Sequence, residues 1–294
     1  MQRNTGPATE LALHLGESDF ARVARFAWRI AGLSISESKR TMVQSRLSRR
    51  LRETGHHDFS SYMDYVEGEA GKAEIDLLIS ALTTNVSHFF REEHHFATLR
   101  ETILPELSRR ARQGERIRIW SAGCSNGQEP YTIAMSLIDG DPGLLDLDVR
   151  ILATDIDLKV LAFAQNGVYD PGQLQGVSDR AKTKYFRKIE TDGKAAFGVV
   201  DALKNAVSFR RLNLMDPWPM QGVFDAIFCR NVVIYFSEET QAKLWPKFAA
   251  RLAPQGWFFI GHSERIQNPR EFGFEPSGVT AYRKIEGTKK PGMA

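Results

Sequence analysis

Cysteine is scarce in this chain. Its 294 residues contain two, Cys124 and Cys229, and each lies in an apolar or glycine-rich segment without a second cysteine at paired spacing. Disulfide frameworks and zinc knuckles both need cysteines at such spacings, so the sequence argues against both. We expect a protein of a reducing compartment.

Long apolar runs and an excess of one charge are also absent. No window approaches the roughly 18 to 20 consecutive apolar residues of a membrane span, and residues 1–7 lack the apolar core of a signal peptide. The 39 basic residues nearly balance the 36 acidic ones, and a net charge of +3 is too small for the whole chain to bind nucleic acid electrostatically. We therefore expect a cytoplasmic protein that does not insert into membranes.

Charge is segregated near the start of the chain. From Arg22 to Arg52 nine basic residues accompany one acid, and from Glu53 to Asp76 seven acids accompany one lysine. Apolar residues recur at helical spacing through both stretches, so residues 1–82 are predicted to form an all-helical domain. Two interpretations of the charge remain open: the basic stretch docks on an acidic helical partner, or it pairs with the acidic stretch inside the domain.

After residue 116 the pattern changes to short apolar runs that alternate with helical stretches, which predicts an α/β domain with a parallel, Rossmann-like sheet. The predicted strands are Ile117–Trp120, Val149–Ala153, Val207–Leu212, Phe224–Cys229, Trp257–Gly261 and Val279–Arg283. The pattern weakens over about 167–206, which we interpret as a small inserted subdomain. The whole domain is predicted to span 83–286, with a flexible tail at 287–294.

A glycine-containing loop follows the first predicted strand. Gly123 and Gly127 let the backbone turn tightly near a ligand, but their spacing is not that of dinucleotide-binding loops. Glu129 opens the next helix, where it would repel a pyrophosphate but suit an ammonium group or a ribose hydroxyl. S-adenosylmethionine carries both groups. The alternative is a plain strand-to-helix turn without a ligand.

Polar residues also end two later predicted strands. Asp155 is expected to accept the ribose hydroxyls of an adenosine-containing ligand, whereas Asp157 is expected to cap the next helix. Arg230, Asn231 and Tyr235 follow the strand Phe224–Cys229 and are expected at the same edge of the sheet. The alternatives are a surface ion pair for Arg230 and a core position for Tyr235.

A dense polar run from Leu82 to Phe96 precedes the sheet and is predicted to line a pocket, because linkers are usually rich in Gly, Ser or Pro. His94 and His95 are adjacent on a predicted helix and are expected to point apart. No third ligand stands at metal spacing, so no metal site is predicted.

Five ordered motifs together resemble the CheR family of chemoreceptor glutamate methyltransferases. They are the run Thr83–Arg91, the loop Gly123–Thr132, the turn Ala153–Asp157, the segment Phe224–Phe236 and the sequence Gly-His-Ser-Glu at 261–264. The helical first domain fits the same family. The resemblance implies an enzyme that transfers methyl groups from S-adenosylmethionine to glutamate side chains of methyl-accepting chemotaxis receptors, with S-adenosylhomocysteine as the second product.

The resemblance also implies a set of site residues. Those expected at the cofactor are Asn85, Ser87, Arg91, Gly123, Glu129, Asp155, Asn213, Leu214, Cys229, Arg230 and Asn231. Ser87 stands where the family usually has threonine. We further hypothesise that Arg91 orients the acceptor carboxylate and that Tyr235 closes the pocket beside the methyl group. No general base is needed, because a glutamate with a pKa of about 4.3 is ionised at neutral pH.

The expected partner is the helical cytoplasmic domain of such receptors, met by a monomeric enzyme. Some members of the family grip a receptor pentapeptide through a glycine-rich loop, but here the corresponding segment 186–194 has one glycine, which predicts an enzyme independent of that tether. Two rivals stay open. One is a nucleic-acid methyltransferase, although no Asn/Asp-Pro-Pro-Tyr motif follows the fourth predicted strand, and the other is an inactive S-adenosylmethionine-binding scaffold.

Overall fold

The computed structural model describes residues 14–285, and the predicted tail at 287–294 lies outside them. These residues form two compact units that divide after Thr83. Within the described segment, no helix is both long and apolar enough to span a membrane.

The first unit is all helical. Its helices are α1 (Glu17–Ala31), α2 (Arg40–Thr54), α3 (Phe59–Glu67) and α4 (Lys72–Leu82), with short 3-10 turns at Glu37–Lys39 and Glu69–Gly71. The side chain of Asp58 caps α3 by accepting a hydrogen bond from the Ser61 amide at 2.7 Å. Gly32 and Gly55, both in the left-handed conformation, end α1 and α2.

Some residues of the basic stretch form ion pairs with residues of the acidic stretch inside this unit. Arg50 is 9% exposed and donates through Nε and Nη2 to the two carboxylate oxygens of Glu74, each at 2.7 Å. Arg22 pairs with Asp64 at 2.8 Å and with Glu67 at 2.9 Å. The basic and acidic stretches therefore pair with each other at these points, as the second interpretation predicted.

Arg46 has a different internal role. Its Nη1 donates to the carbonyls of Leu82 and Thr83 at 3.2 and 2.8 Å, at the carboxyl end of α4. These carbonyls have no partner within the helix, so a cation there satisfies and stabilises them. Arg46 and Arg50 thus both make contacts within the unit.

The second unit contains a seven-stranded sheet in the order β6-β2-β1-β7-β8-β10-β9. The strands are β1 (Ile117–Ala122), β2 (Val149–Asp155), β6 (Val207–Arg211), β7 (Phe224–Cys229), β8 (Leu252–Ile260), β9 (Phe274–Gly278) and β10 (Ala281–Lys284). Pairs among β6, β2, β1, β7 and β8 are parallel, so their carboxyl ends share one edge. This arrangement confirms the predicted Rossmann-like sheet.

The strands differ from prediction mainly at the end of the chain. The last one, expected at Val279–Arg283 in a parallel sheet, runs Ala281–Lys284 and is antiparallel to both neighbours. The strand β9 at Phe274–Gly278 was not predicted, and β8 begins at Leu252 rather than Trp257. An antiparallel edge added to a parallel sheet is a frequent variation of this architecture.

Helices cover the sheet and a small second sheet is inserted. The helices are α5 (Glu93–Thr98), α6 (Leu104–Arg112), α7 (Gln128–Gly140), α8 (Leu158–Asn166), α9 (Asp179–Tyr185), α10 (Asp201–Ala206) and α11 (Glu238–Arg251), with a π-helical turn at Leu99–Ile103 between α5 and α6. The strands β3 (Val168–Tyr169), β4 (Phe186–Thr191) and β5 (Lys194–Val199) form a three-stranded antiparallel sheet in the order β3-β5-β4. This sheet lies within the stretch of about 167–206 that we interpreted as an inserted subdomain.

The core lies on both faces of the large sheet. Alternate residues of β1 belong to two separate buried clusters, Ile117 and Ile119 to one, Trp120 and Ala122 to the other. Side chains of a strand point to opposite faces in turn, so both faces are buried. Burial of both faces explains why these strands are near-continuous apolar runs.

Candidate functional site

The loop after β1 approaches a second loop closely. Gly123 has φ 80°, and a Cβ there would lie 2.3 Å from Cγ2 of Val232, just after β7. The amides of Gly123 and Cys124 both donate to the carbonyl of Thr154, at 2.7 and 2.9 Å. Glycine is therefore needed at 123 for packing between the two loops, whatever ligand they hold.

Glu129, in the first turn of α7, faces the carboxyl end of the sheet. Its carboxylate accepts a hydrogen bond from Ser121 Oγ at 2.6 Å and pairs with Arg230 Nη1 at 3.1 Å. The side chain is 12% exposed. Burial raises the pKa of Glu129, and the charge of Arg230 opposes that rise. A further cation near this acid would be favoured.

Asp155 and Asp157 join three segments of the chain. Asp155 accepts hydrogen bonds from the amides of Ser125 and Asp157, at 2.8 and 3.0 Å, and burial raises its pKa while these bonds oppose the rise. Asp157 caps α8 through the Lys159 amide at 2.9 Å, as predicted, and also accepts from Asn85 Nδ2 at 2.8 Å. The polar run before the sheet is thereby fixed to the ends of β1 and β2.

Arg230 is the centre of a buried charge network. Its side chain is 2% exposed and bridges Glu129 to Glu92, with Nη2 3.3 Å from Glu92 Oε2. The same guanidinium donates to the carbonyl of Arg91 and lies 5.3 Å from the ring centroid of Phe96. A surface ion pair, the alternative for Arg230, is excluded by this burial.

A cavity of about 460 Å³ opens beside this network. Its lining comes from the polar run, from the segment after β7 and from His262: Thr84, Val86, His88, Arg91, Glu92, Asn231, Ile234, Tyr235 and His262. Arg91 Nη1 donates to the carbonyl of Val86 at 3.2 Å, and the Tyr235 hydroxyl donates to that of Thr84 at 3.3 Å. Arg91 and Tyr235, the two residues expected to act on the acceptor, thus line one cavity.

Glu264 holds the segment after β7 in place and was not predicted as a site residue. It is 5% exposed, and its carboxylate accepts hydrogen bonds from the amides of Asn231 at 2.9 Å, Ile234 at 3.2 Å and Gly261. Burial raises its pKa, and these backbone bonds oppose the rise. Its position three residues after Gly261, in the Gly-His-Ser-Glu motif, was the signal available in the sequence.

The remaining expected cofactor residues lie at several depths. Asn213 Oδ1 accepts from the Met215 amide at 3.0 Å, and Leu214 is nearly buried. Cys229 is fully buried in β7, and burial raises the pKa of its thiol, as it does for Cys124. Ser87 makes no hydrogen bond with any residue of the segment 14–285 and is half-buried.

The histidine pair does not have the geometry we expected. The ring centroids of His94 and His95 are 4.2 Å apart, and ligand atoms of both rings and of Glu92 lie within 4.8 Å of one another. The reasoning that the two rings point apart was therefore wrong. Arg230 stands 3.3 Å from the Glu92 carboxylate, and its charge would repel a metal cation, so we still propose no metal site there.

Comparisons with known proteins agree with this architecture. A family profile described as "CheR methyltransferase, SAM binding domain" matches residues 85–281, and one described as "CheR methyltransferase, all-alpha domain" matches residues 18–83. A probable chemotaxis protein methyltransferase of Rhizobium etli is 47% identical over 86% of this chain and 94% of its own length. Chemotaxis protein methyltransferase 2 of Pseudomonas aeruginosa is 42% identical over 86% and 88%, and the Salmonella typhimurium enzyme is 40% identical over 92% of each chain. With both profiles and these full-length relatives in agreement, the chain belongs to the CheR methyltransferase family, whose second domain binds S-adenosylmethionine.

Proposed function

We propose that the protein transfers a methyl group from S-adenosylmethionine to glutamate side chains of methyl-accepting chemotaxis receptors, forming glutamyl methyl esters. The observation that carries the proposal is the cavity of about 460 Å³ in which Arg91 and Tyr235 face the same space beside Glu92 and Asn231. An arginine suits an incoming carboxylate, and the acids of the strand ends suit a cationic cofactor.

The residues present fit S-adenosylmethionine. Burial raises the pKa of Glu129, and the positive charge of Arg230 opposes that rise. A second cation, the ammonium group of the cofactor, would therefore be favoured beside this carboxylate. Asp155 uses one backbone amide on each oxygen, and a carboxylate has about four acceptor positions, so it retains capacity for ribose hydroxyls. The amides of Asn85 and Asn213 and the guanidinium of Arg91 supply further donors. S-adenosylhomocysteine, the proposed second product, has the same polar groups, so we propose that it binds to the same residues.

The chemistry asked of the protein is positioning. When bound, S-adenosylmethionine supplies an electrophilic methyl group on a sulfonium. The acceptor carboxylate is already ionised at neutral pH, so a general base is not needed. Consistent with that, both cysteines are buried with raised pKa values, and burial together with the charge of Arg230 lowers the pKa of His95 to about 3. Arg91 orients the acceptor, and Tyr235 closes the cavity around it.

The proposal is tested with methyl-labelled S-adenosylmethionine and receptor cytoplasmic fragments, with RNA in a parallel reaction. We expect label on the receptor that alkali removes, as an ester requires. Label on RNA would favour a nucleic-acid methyltransferase, and label on neither, with intact cofactor binding, would favour a scaffold. Arg91→Ala and Tyr235→Phe are expected to lower kcat, and near-normal kcat with intact cofactor binding in both would remove these two assignments.

Receptor docking is proposed on the exposed basic face of α1 rather than on all of the basic stretch. Arg25 and Arg29 are exposed there, with Trp28, 51% exposed, between them on one helix face. Their charge complements a glutamate-rich receptor helix, which mainly raises the encounter rate. Reversal of both arginines to glutamate should slow receptor methylation about threefold or more at low salt. An unchanged rate would refute docking at this face.

We also propose that the enzyme does not need a receptor tether. The turn Asp192–Gly193 joins β4 to β5 as a two-residue hairpin with φ 51° and 72°, so the single glycine serves the turn itself. No further glycine in the hairpin loop is available to widen it. Micromolar binding of the receptor pentapeptide, measured by calorimetry, would contradict this proposal.

A further inference from the structure

Glu92 is the acidic residue in the wall of the cavity, and neither the motifs nor the proposed chemistry gave it a role. Its Oε1 accepts hydrogen bonds from the amide and Nδ1 of His262, at 3.2 and 3.0 Å, and from Asn231 Nδ2 at 3.3 Å. Its Oε2 lies 3.3 Å from Arg230 Nη2. Glu92 thus ties together three segments that line the cavity or lie next to it.

The backbone at Glu92 is held in an uncommon conformation. Its φ and ψ are 57° and 61°, in the left-handed region that L-residues with a side chain rarely adopt. Phe90, two residues earlier, also has a positive φ of 56°. Strain of this kind persists only where the surroundings enforce it, and it is concentrated at functional positions. Here it places an almost buried carboxylate, 9% exposed, next to Arg91.

The charge of Glu92 is permanent under working conditions. Burial by itself would raise its pKa, but the charge of Arg230 and the hydrogen bonds from His262 outweigh burial and lower the pKa to about 2. Arg91 Nε lies 3.9 Å from Glu92 Oε1. The cavity therefore presents the acceptor carboxylate with an arginine that already has an anionic neighbour.

We infer that Glu92 is a positioning residue whose negative charge offsets Arg91 and Arg230 and so keeps the cavity from binding the ionised acceptor too tightly. The inference rests on the proposed glutamate methylation. In that reaction a carboxylate oxygen forms a bond to the methyl carbon while the carbon–sulfur bond breaks and its electron pair goes to sulfur, leaving a neutral ester and a neutral thioether. Negative charge on the acceptor disperses on the way.

A cavity of strongly positive potential would hold the reactant carboxylate better than the transition state, in which that charge is smaller. Binding of this kind lowers KM but does not raise kcat. Glu92 removes part of the positive potential. The cavity therefore binds the charged acceptor less tightly, and the activation free energy of methyl transfer from the bound state is lower. The arrangement also favours release of the neutral ester relative to retention of an anion.

The test is the steady-state kinetics of Glu92→Gln with receptor fragment as the varied substrate. The amide keeps the size of the side chain and an oxygen for His262, and it removes the charge. We expect KM for the receptor to fall about threefold or more and kcat to fall about threefold or more, with affinity for S-adenosylhomocysteine near wild type. The matched control is Glu93→Gln, an exposed neighbour paired with Arg100, which should change neither constant.

The direction of the KM change separates this role from a merely structural one. Damage to the cavity raises KM or leaves it unchanged, whereas loss of an opposing charge lowers it. An unchanged or raised KM in a folded Glu92→Gln enzyme would overturn the inference while leaving glutamate methylation intact. Absence of any base-labile label with the wild-type enzyme would instead overturn the proposed function.

A second measurement uses the wild-type protein and needs no variant to fold. Receptor fragments with glutamate or with glutamine at the acceptor position are titrated into enzyme loaded with S-adenosylhomocysteine. Because Glu92 offsets the cationic groups, the two fragments should bind within about threefold of each other. Binding of the glutamate fragment more than about tenfold tighter would contradict the inference, since it would show an uncompensated positive cavity.

Discussion

His95 is expected to make the second unit sensitive to mild acid. The ring is fully buried, 5.0 Å from that of Phe259, and Nε2 lies 3.1 Å from the carbonyl of Val279 and 3.0 Å from Thr280 Oγ1. A carbonyl accepts, so Nε2 carries the proton and Nδ1, which has no hydrogen-bond partner among the described residues, is bare. Burial first, and then the charge of Arg230, lower the pKa of His95 from 6.5 to about 3.

The sign of the effect follows from which state takes up the proton. Below pH 6.5 an unfolded histidine becomes protonated while His95 in the folded protein stays neutral, so stability falls as the pH falls. Between pH 7.5 and 5.0 the loss from this one group amounts to about 2 kcal/mol. That figure depends almost entirely on the unfolded-state pKa, because at pH 5 the folded form is still neutral.

Urea unfolding at several pH values between 7.5 and 5.0 measures this effect. Four of the five tryptophans lie in the second unit, so their fluorescence follows its unfolding. The wild type should lose about 2 kcal/mol more than His95→Gln over this range, and His57→Gln, at an exposed histidine, should reproduce the wild-type dependence. Equal dependence in wild type and His95→Gln, or a His95 imidazole signal that titrates above pH 5 by NMR, would refute the reasoning.

Two further predictions concern single positions. Arg50→Ala should destabilise the first unit by about 3–5 kcal/mol, because it leaves the buried carboxylate of Glu74 without its cation. The control is Arg49→Ala, at an exposed i,i+4 ion pair, which should cost less than about 0.5 kcal/mol. Chemical denaturation measures both free energies of unfolding. Gly261→Ala would place a Cβ 2.4 Å from Nδ2 and 2.6 Å from the backbone nitrogen of Asn231, so methyl transfer should fall roughly tenfold or more. The control is Gly222→Ala, because a Cβ there would have no atom within 4 Å. A normal rate in Gly261→Ala would show that this segment tolerates displacement.

Strands could be predicted from the sequence where their burial requires a continuous run of apolar residues. β7 occupies the predicted residues Phe224–Cys229 because a central strand buried on both faces must be apolar throughout. β9 escaped prediction because Pro276 and Gly278 argue against a strand. Proline is tolerated there because β9 is the edge strand and needs fewer amide donors.

The site was predictable only where residue type limits the role. Glu129, Asp155 and Arg230 stand at strand ends, and the carboxyl edge of a parallel sheet brings such positions together. Glu92 was missed because an acid at the start of a helix usually only stabilises the helix end. Its residue type also gives no indication of a left-handed backbone. Glu264 was missed because its partners are backbone amides, two of them at least 30 residues away, and any sequence supplies those.

Asp155 and Glu264, two buried acids of this site, each hold a loop in place through a backbone amide. Ser125 and Asn231, with φ 49° and 59°, are non-glycine residues in the left-handed region, one in each loop. The amide of Ser125 donates to Asp155 and that of Asn231 donates to Glu264. Each carboxylate therefore stabilises a conformation that its loop would otherwise leave. An amide side chain has one acceptor oxygen instead of two, so exchanging Asp155 for asparagine would loosen the loop as well as remove a charge, and the ligand contact and the loop geometry depend on the same carboxylate.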